Sequence, residues 1–133
     1  MVLDTSALVA LLFNESDAEQ FELAIEADPR RLMSAASVLE TSIVVASRFG
    51  EAGGREFDLL LYKAQIEMVA VTPEQIDIAR HAYRTYGKGR YPAGLNFGDC
   101  FAYALCKMSG EPLLCTGNAF SQTDVERVQM GHC

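Results

Sequence analysis

The chain is poor in the residues from which many sites are built. Its 133 residues include two histidines and four cysteines. His81 and His132 lie outside any zinc-like spacing, and Cys100, Cys106, Cys115 and Cys133 form no C-x-x-C pair. Zinc binding and dithiol redox chemistry are therefore not expected. Cys100 and Cys106 fall in an apolar helical run and read as core thiols, while terminal Cys133 reads as free. Long apolar runs are also missing: nothing approaches the roughly 20 residues of a membrane span. No basic segment precedes the first apolar stretch, which Asp4 interrupts, so no signal peptide is read there. The expected location is cytoplasmic, with no membrane contact and no disulfides. Cations are scarce, 11 Lys and Arg against 18 Asp and Glu, for a net charge of −7. That excludes a polyanion binder whose affinity comes from overall charge, but leaves room for a local basic strip. Repeats, linkers and low-complexity tracts are absent, and the length suits one domain over residues 1–133.

What is present is a chain that is 50% hydrophobic, arranged as short apolar runs between helical patterns. Strands are expected at residues 2–4, 31–34, 67–71 and 113–115, with a final edge strand at 125–130. Helices are expected at 6–13, 17–27, 35–49, 55–66, 73–86 and 97–108. Thr5 or Ser6 can cap the first helix. Ser16 with Glu19 three residues on reads as a capping box. Thr72-Pro73 opens a helix with a cap and a proline at its first position. Gly50 reads as a helix-ending residue, and Gly53-Gly54 as a turn. Strands alternating with helices predict an α/β fold with a short, mostly parallel sheet and right-handed crossovers.

Three acids stand out against this background. Asp4 ends the first strand, at the edge where open α/β sheets bind ligands. Glu40 is the only acid between Asp28 and Glu51, and Asp99 the only one between Asp77 and Glu111; both interrupt apolar helices. A carboxylate in such a place costs free energy unless it is paired or bound to a metal. The neighbouring cations are Arg31 or Arg48 for Glu40, and Arg90 or Lys107 for Asp99. Separate caps and salt bridges form one reading. The other is a shared hard cation, Mg²⁺ or Mn²⁺, held by oxygen ligands and activating water against a phosphodiester.

The segments Leu3-Asp4-Thr5-Ser6-Ala7-Leu8, Ser37-Val38-Leu39-Glu40-Thr41 and Asn96-Phe97-Gly98-Asp99-Cys100-Phe101-Ala102 resemble the three acidic motifs of PIN domains. The likeness extends to the VapC ribonuclease toxins of bacterial toxin–antitoxin modules and spans almost the whole chain. It implies a PIN-like three-layer α/β/α fold and an endoribonuclease in which Asp4, Glu40 and Asp99 bind Mg²⁺ or Mn²⁺. It also implies a cognate VapB-type antitoxin whose C-terminal segment lies in a hydrophobic groove, and a symmetric homodimer. Phe13, Phe21, Ile25, Phe57, Leu61 and Tyr62 exceed what a small domain must bury. The chain departs from the family at Asn118-Ala119-Phe120, where similar toxins carry an acid shortly before the Phe. Asn118 and Asp124 are the candidates to take over that role, with Ser6 a further accessory residue beside Asp4. The departure implies a weakened site.

Arg80, Arg84, Lys88 and Arg90 are interleaved with Tyr83, Tyr86 and Tyr91. Of these, Arg84, Lys88 and Arg90 are the expected phosphate contacts of an RNA substrate, with Tyr stacking on unpaired bases. The plainer reading is a solvated helix face with Tyr83 in the core. Gly87-x-Gly89 is too short for a dinucleotide fingerprint. Three functions compete: a metal-dependent endoribonuclease, a PIN-like scaffold that only binds RNA or a partner, and a phosphotransfer domain using Asp4. The last is the poorest fit, because Ser6 stands where a phosphatase of the haloacid-dehalogenase type needs a second Asp.

Overall fold

A computed structural model of the chain describes residues 1–90 and 92–130; Tyr91, His132 and Cys133 lie outside them. Strands β1 (Val2–Leu3), β2 (Leu32–Ser34), β3 (Glu67–Val69) and β4 (Leu113–Leu114) form one parallel sheet in the order β3-β2-β1-β4. The two-residue period of a strand sorts its side chains between two cores. Val2, Leu32 and Leu113 face one core, built with α4 (Pro73–Tyr86) and α5 (Phe97–Ser109). Leu3, Met33 and Leu114 face the other, built with α1 (Thr5–Leu12), α2 (Ala18–Ala27) and α3 (Ala35–Lys63). The fold is thus three layers, α/β/α. No helix among the described residues is long and apolar enough to cross a membrane.

The strand order places the candidate site. From β1 the chain steps outward through β2 to β3, then returns so that β4 lies on the other side of β1. The connections leaving β1 and β4 therefore diverge, and a crevice opens at their carboxyl ends. Asp4 stands at that switch point, immediately after β1.

Several local expectations change. α3 is a pair of helices joined at Gly50, whose φ of 63° and ψ of −149° lie in a region that only glycine occupies readily; the first helix ends there as expected, and the second starts directly after it and runs to Lys63. Gly53 and Gly54 are helical rather than a turn, because Gly53 packs so tightly on Val45 and Phe49 that a Cβ would collide with them. α2 starts at Ala18 with no side-chain cap, so the Ser16–Glu19 box does not form. The edge strand at 125–130 shrinks to one parallel bridge between Leu113 and Arg127, since two-residue β4 offers almost nothing to pair with. Thr72 does cap α4, its hydroxyl accepting from the Gln75 N–H at 3.2 Å. Phe21, Ile25 and Phe57 are core, whereas Tyr62 is 81% exposed.

The two glycines make opposite predictions. Gly50→Ala forces a side chain into a positive-φ conformation and should destabilise the fold by about 1–3 kcal/mol. Gly54 is helical and a Cβ there meets open space. Gly54→Ala should therefore stabilise by about 0.4–1 kcal/mol. Urea midpoints of the two variants should move in opposite directions.

Candidate active site

Each of the three acids is set by local backbone chemistry. Asp4 is buried at 5% exposure, and its N–H donates to the Leu114 carbonyl. Its Oδ2 accepts from the Ser6 N–H at 3.1 Å and from the Ser6 hydroxyl at 2.6 Å. Asp4 is therefore itself the cap of α1, the plainer of its two readings, and Thr5 and Ser6 are not. The Ser6 hydroxyl oxygen also accepts from the Thr116 N–H at 3.0 Å, which ties the exits of β1 and β4 together.

Relieved of capping, Thr5 turns its hydroxyl to Glu40, Oγ1 to Oε1 being 2.8 Å. Glu40 lies in the second turn of α3, whose first turn is capped by Ser34. Asp99 occupies the first turn of α5 within a complete capping box. Its Oδ2 accepts from the Asn96 N–H, while Asn96 Oδ1 accepts from the Asp99 N–H, both at 2.9 Å. The adjacent Gly98 lies directly against Glu40: a Cβ there would strike the carboxylate. Gly98 thus leaves the Glu40 carboxylate the room it occupies here.

Electrostatics show the same convergence. Burial pushes the Asp4 carboxyl up to about 6, against the opposing bonds from Ser6, and the charges of Asp99 and Glu40 raise it further. Asp99 is raised by burial and by Glu40, in part offset by the Asn96 N–H. No ion pair answers any of the three among the described residues. The cations that sequence offered are engaged elsewhere. Arg31 donates to the carbonyls of Ile25, Asp28 and Ala64, Arg48 lies over the Phe13 ring, and Lys107 pairs with Asp124. Arg90 sits in the loop after α4.

Such a donor set, all oxygen, anionic and uncompensated, suits a hard divalent cation. Among the described residues no three Asp, Glu, His or Cys side chains form a ready-made metal-holding group. In Asp4 and Asp99 the cap engages Oδ2.

The accessory candidates separate. Ser6 is inside the site. Asp124 accepts from the Tyr103 hydroxyl at 2.7 Å and from Lys107 at 2.9 Å, and these bonds hold its carboxyl below the usual range. Its side chain is thus committed to α5. Asn118 is exposed, and its carbonyl accepts from the Ser121 N–H and hydroxyl. Arg84 and Lys88 are exposed and border a groove between α4 and α5 that Arg90 does not line. Tyr83, 47% exposed, is not core. Sequence reading had missed Thr5 as the partner of Glu40, and Asn96 and Gly98 as site residues. The Asn96-x-x-Asp99 spacing was a usable capping-box signal, whereas nothing local marks Gly98.

The raised Asp4 carboxyl has a consequence for stability. The folded chain holds this proton more tightly than the unfolded chain, whose value lies near 3.8. In chelator, stability is therefore lost as pH rises from about 4 through about 6. Asp4→Asn, which keeps a capping oxygen without the charge, should melt above the parent at pH 7.5. The gap should narrow at pH 5 and close near pH 4, as read by scanning calorimetry.

Comparison with known proteins agrees with this geometry. The PIN domain family model matches residues 1–126. Ribonuclease VapC30 of Mycobacterium tuberculosis is 61% identical over 130 residues, covering 98% of this chain and 99% of that protein. Among solved structures, the sarcin–ricin loop-cleaving toxin VapC20 of M. tuberculosis superposes with a TM-score of 0.76 at 16% identity, over 96% of this chain and 97% of that one. VapBC2 of Rickettsia felis, bound to a promoter DNA fragment, gives a TM-score of 0.74 at 13% identity, over 96% of each chain. A family model spanning nearly the whole chain, and relatives of matching length at this identity, show that the chain belongs to the PIN domain family, among its VapC ribonucleases.

Proposed function

We propose that this single PIN-like domain is a metal-dependent endoribonuclease, the toxin of a toxin–antitoxin pair acting in the cytoplasm. The observation that carries the reading is the meeting of Asp4, Glu40 and Asp99 at the switch point with no cation to neutralise them. These three would hold Mg²⁺ or Mn²⁺. When bound, the ion supplies an acidified water and stabilises charge developing at phosphorus. The chain's own residues set the ligands in place. Ser6, anchored by Thr116, orients Asp4; Thr5 orients Glu40; Asn96 orients Asp99. Arg84, Lys88 and Arg90 would receive RNA phosphates. The homologous VapC30 is named a ribonuclease, and VapC20 a sarcin–ricin loop-cleaving toxin.

The cognate partner would be a VapB-type antitoxin. A groove of about 490 Å³ lies between α1, α2 and the second half of α3, walled by Leu11, Leu12, Ile25, Leu59 and Leu60 with Glu22, Glu26, Glu56, Arg31 and Lys63 among them. It suits the apolar side chains of a partner segment. An Arg from that segment would pair with the acidic site, because guanidinium matches carboxylate geometry. A second reading, a scaffold that binds without turnover, is favoured by one observation: Asn118-Ala119 supplies no acid and Asp124 is engaged with Tyr103 and Lys107.

One assay separates them. The purified chain should cleave RNA in Mn²⁺ and not in EDTA. Asp99→Asn should lower cleavage by more than the roughly 10–100-fold that loss of an outer-shell partner costs. Ala119→Asp, placing an acid before Phe120, should tighten Mn²⁺ binding by calorimetry and raise the rate. A parent that binds RNA but never cleaves it supports the scaffold.

Leu59→Asp, in the groove and 44% exposed, should weaken antitoxin binding and leave RNA cleavage unchanged. A pull-down against the cognate antitoxin, with cleavage measured in parallel, checks both.

A further inference from the structure

A second buried hydroxyl stands behind Glu40. Thr41, the next residue in α3, has no exposed surface, and Ser37, one turn earlier, is 1% exposed. The Thr41 hydroxyl lies 2.8 Å from the Ser37 carbonyl oxygen and 3.1 Å from Thr5 Oγ1. Thr5 Oγ1 in turn lies 3.2 Å from the same carbonyl and 2.8 Å from Glu40 Oε1. Two hydroxyls and two acceptors thus share one spot between α1 and α3.

A threonine inside a helix commonly bonds the carbonyl one turn back. Taken alone, the bond from Thr41 to Ser37 would be no more than that. The position of Thr5 changes its meaning. A hydroxyl has one proton to give. The Thr5 proton has two acceptors within reach, the Ser37 carbonyl and Glu40. Thr41 settles the choice in two ways. By donating to the Ser37 carbonyl, it occupies the competing acceptor. By sharing that proton with Thr5 Oγ1, it satisfies the Thr5 oxygen and leaves the Thr5 proton free for Glu40. Both bonds act in the same direction. Burial strengthens them, because the surroundings are of low dielectric.

Glu40 is also the acid with most to gain. Asp4 and Asp99 are fixed as helix caps, whereas Glu40 caps nothing and is held by Thr5. Its longer side chain has more rotamer freedom to lose when it is fixed.

We propose that Thr41 is a positioning residue of the acidic site: its buried hydroxyl directs the Thr5 proton onto Glu40 and so holds that carboxylate ready to receive a cation. The proposal rests on the metal-dependent reading and adds to it a residue that acts only through Thr5.

The test reads cation binding apart from turnover. Mn²⁺ is titrated by calorimetry into the parent and four variants. Thr41→Val removes the hydroxyl and nearly keeps the shape, and should weaken binding roughly 2- to 10-fold, the worth of one hydrogen bond. Thr41→Ala, smaller and equally without a donor, should do the same, and serves alone if Thr41→Val fails to fold. Thr41→Ser keeps the donor and should bind as the parent does. Ser37→Ala is the control, because Ser37 Oγ is buried nearby with no partner among the described residues. Its loss should leave Mn²⁺ binding unchanged. In a Thr5→Val background the loss of the Thr41 hydroxyl should weaken binding no further. In EDTA, urea unfolding should show the Thr5 and Thr41 changes to be non-additive.

Parent-like Mn²⁺ binding without the Thr41 hydroxyl overturns the proposal. So does a weakening that Thr41→Ser fails to restore, or one that persists undiminished in Thr5→Val. Additive unfolding in EDTA overturns it as well. A parent that binds no Mn²⁺ but shows non-additive unfolding overturns the metal-dependent reading and leaves the linkage of Thr41 to Thr5 and Glu40 standing.

Discussion

The constraint on which the structure depends is the burial of one carboxylate at the point where the sheet changes direction. Asp4 is held there by hydrogen bonds, not by an opposite charge. Its oxygen begins α1, its backbone pairs with β4, and through the Ser6 hydroxyl it is fastened to Thr116. Burial of an acid without a cation is unfavourable, and the fold tolerates it because packing on both faces of the sheet is extensive. A divalent ion would relieve a strain that the packing created.

Capping and metal binding are usually weighed as alternatives for an acid at a helix start. Here they coexist. Asp4 and Asp99 each cap a helix with Oδ2. A capped carboxylate has lost its rotamer freedom before any ion arrives, so the entropy of fixing a ligand is already spent in folding. Glu40, which caps nothing, is fixed instead by the Thr5 hydroxyl and by the missing side chain at Gly98.

Much of this was legible in the residues. Asp4, Glu40 and Asp99 were conspicuous because each interrupts an apolar run, and Thr72-Pro73 announced α4 unambiguously. The α/β class with a mostly parallel sheet followed from the alternation of short strands and helices, and the three-layer order from the likeness to PIN domains. Other features depend on contacts that sequence does not display. Gly50 was read correctly as the end of a helix, but nothing local shows that Gly53 and Gly54 already belong to the next one, with Gly53 packed on Val45 and Phe49. Asp124 looked available until Tyr103 and Lys107, one turn apart on α5, claimed it. Phe97 falls in an apolar helical run, yet it stands in solvent.

The pairing of β1 with β4 also governs when the site comes into being. Ser6 and Thr116 are 110 residues apart in the chain, and the strands they follow are two residues long. Such strands are too short to persist unpaired, and contacts of this range form late and slowly. A chain made from its amino end carries Asp4 from the outset, but nothing to hold it in place until β4 and the loop beyond have been made. Asp99 arrives only shortly before. The acidic site is therefore completed only when nearly all of the chain has been made, whereas every residue that walls the groove between α1, α2 and α3 has been made long before.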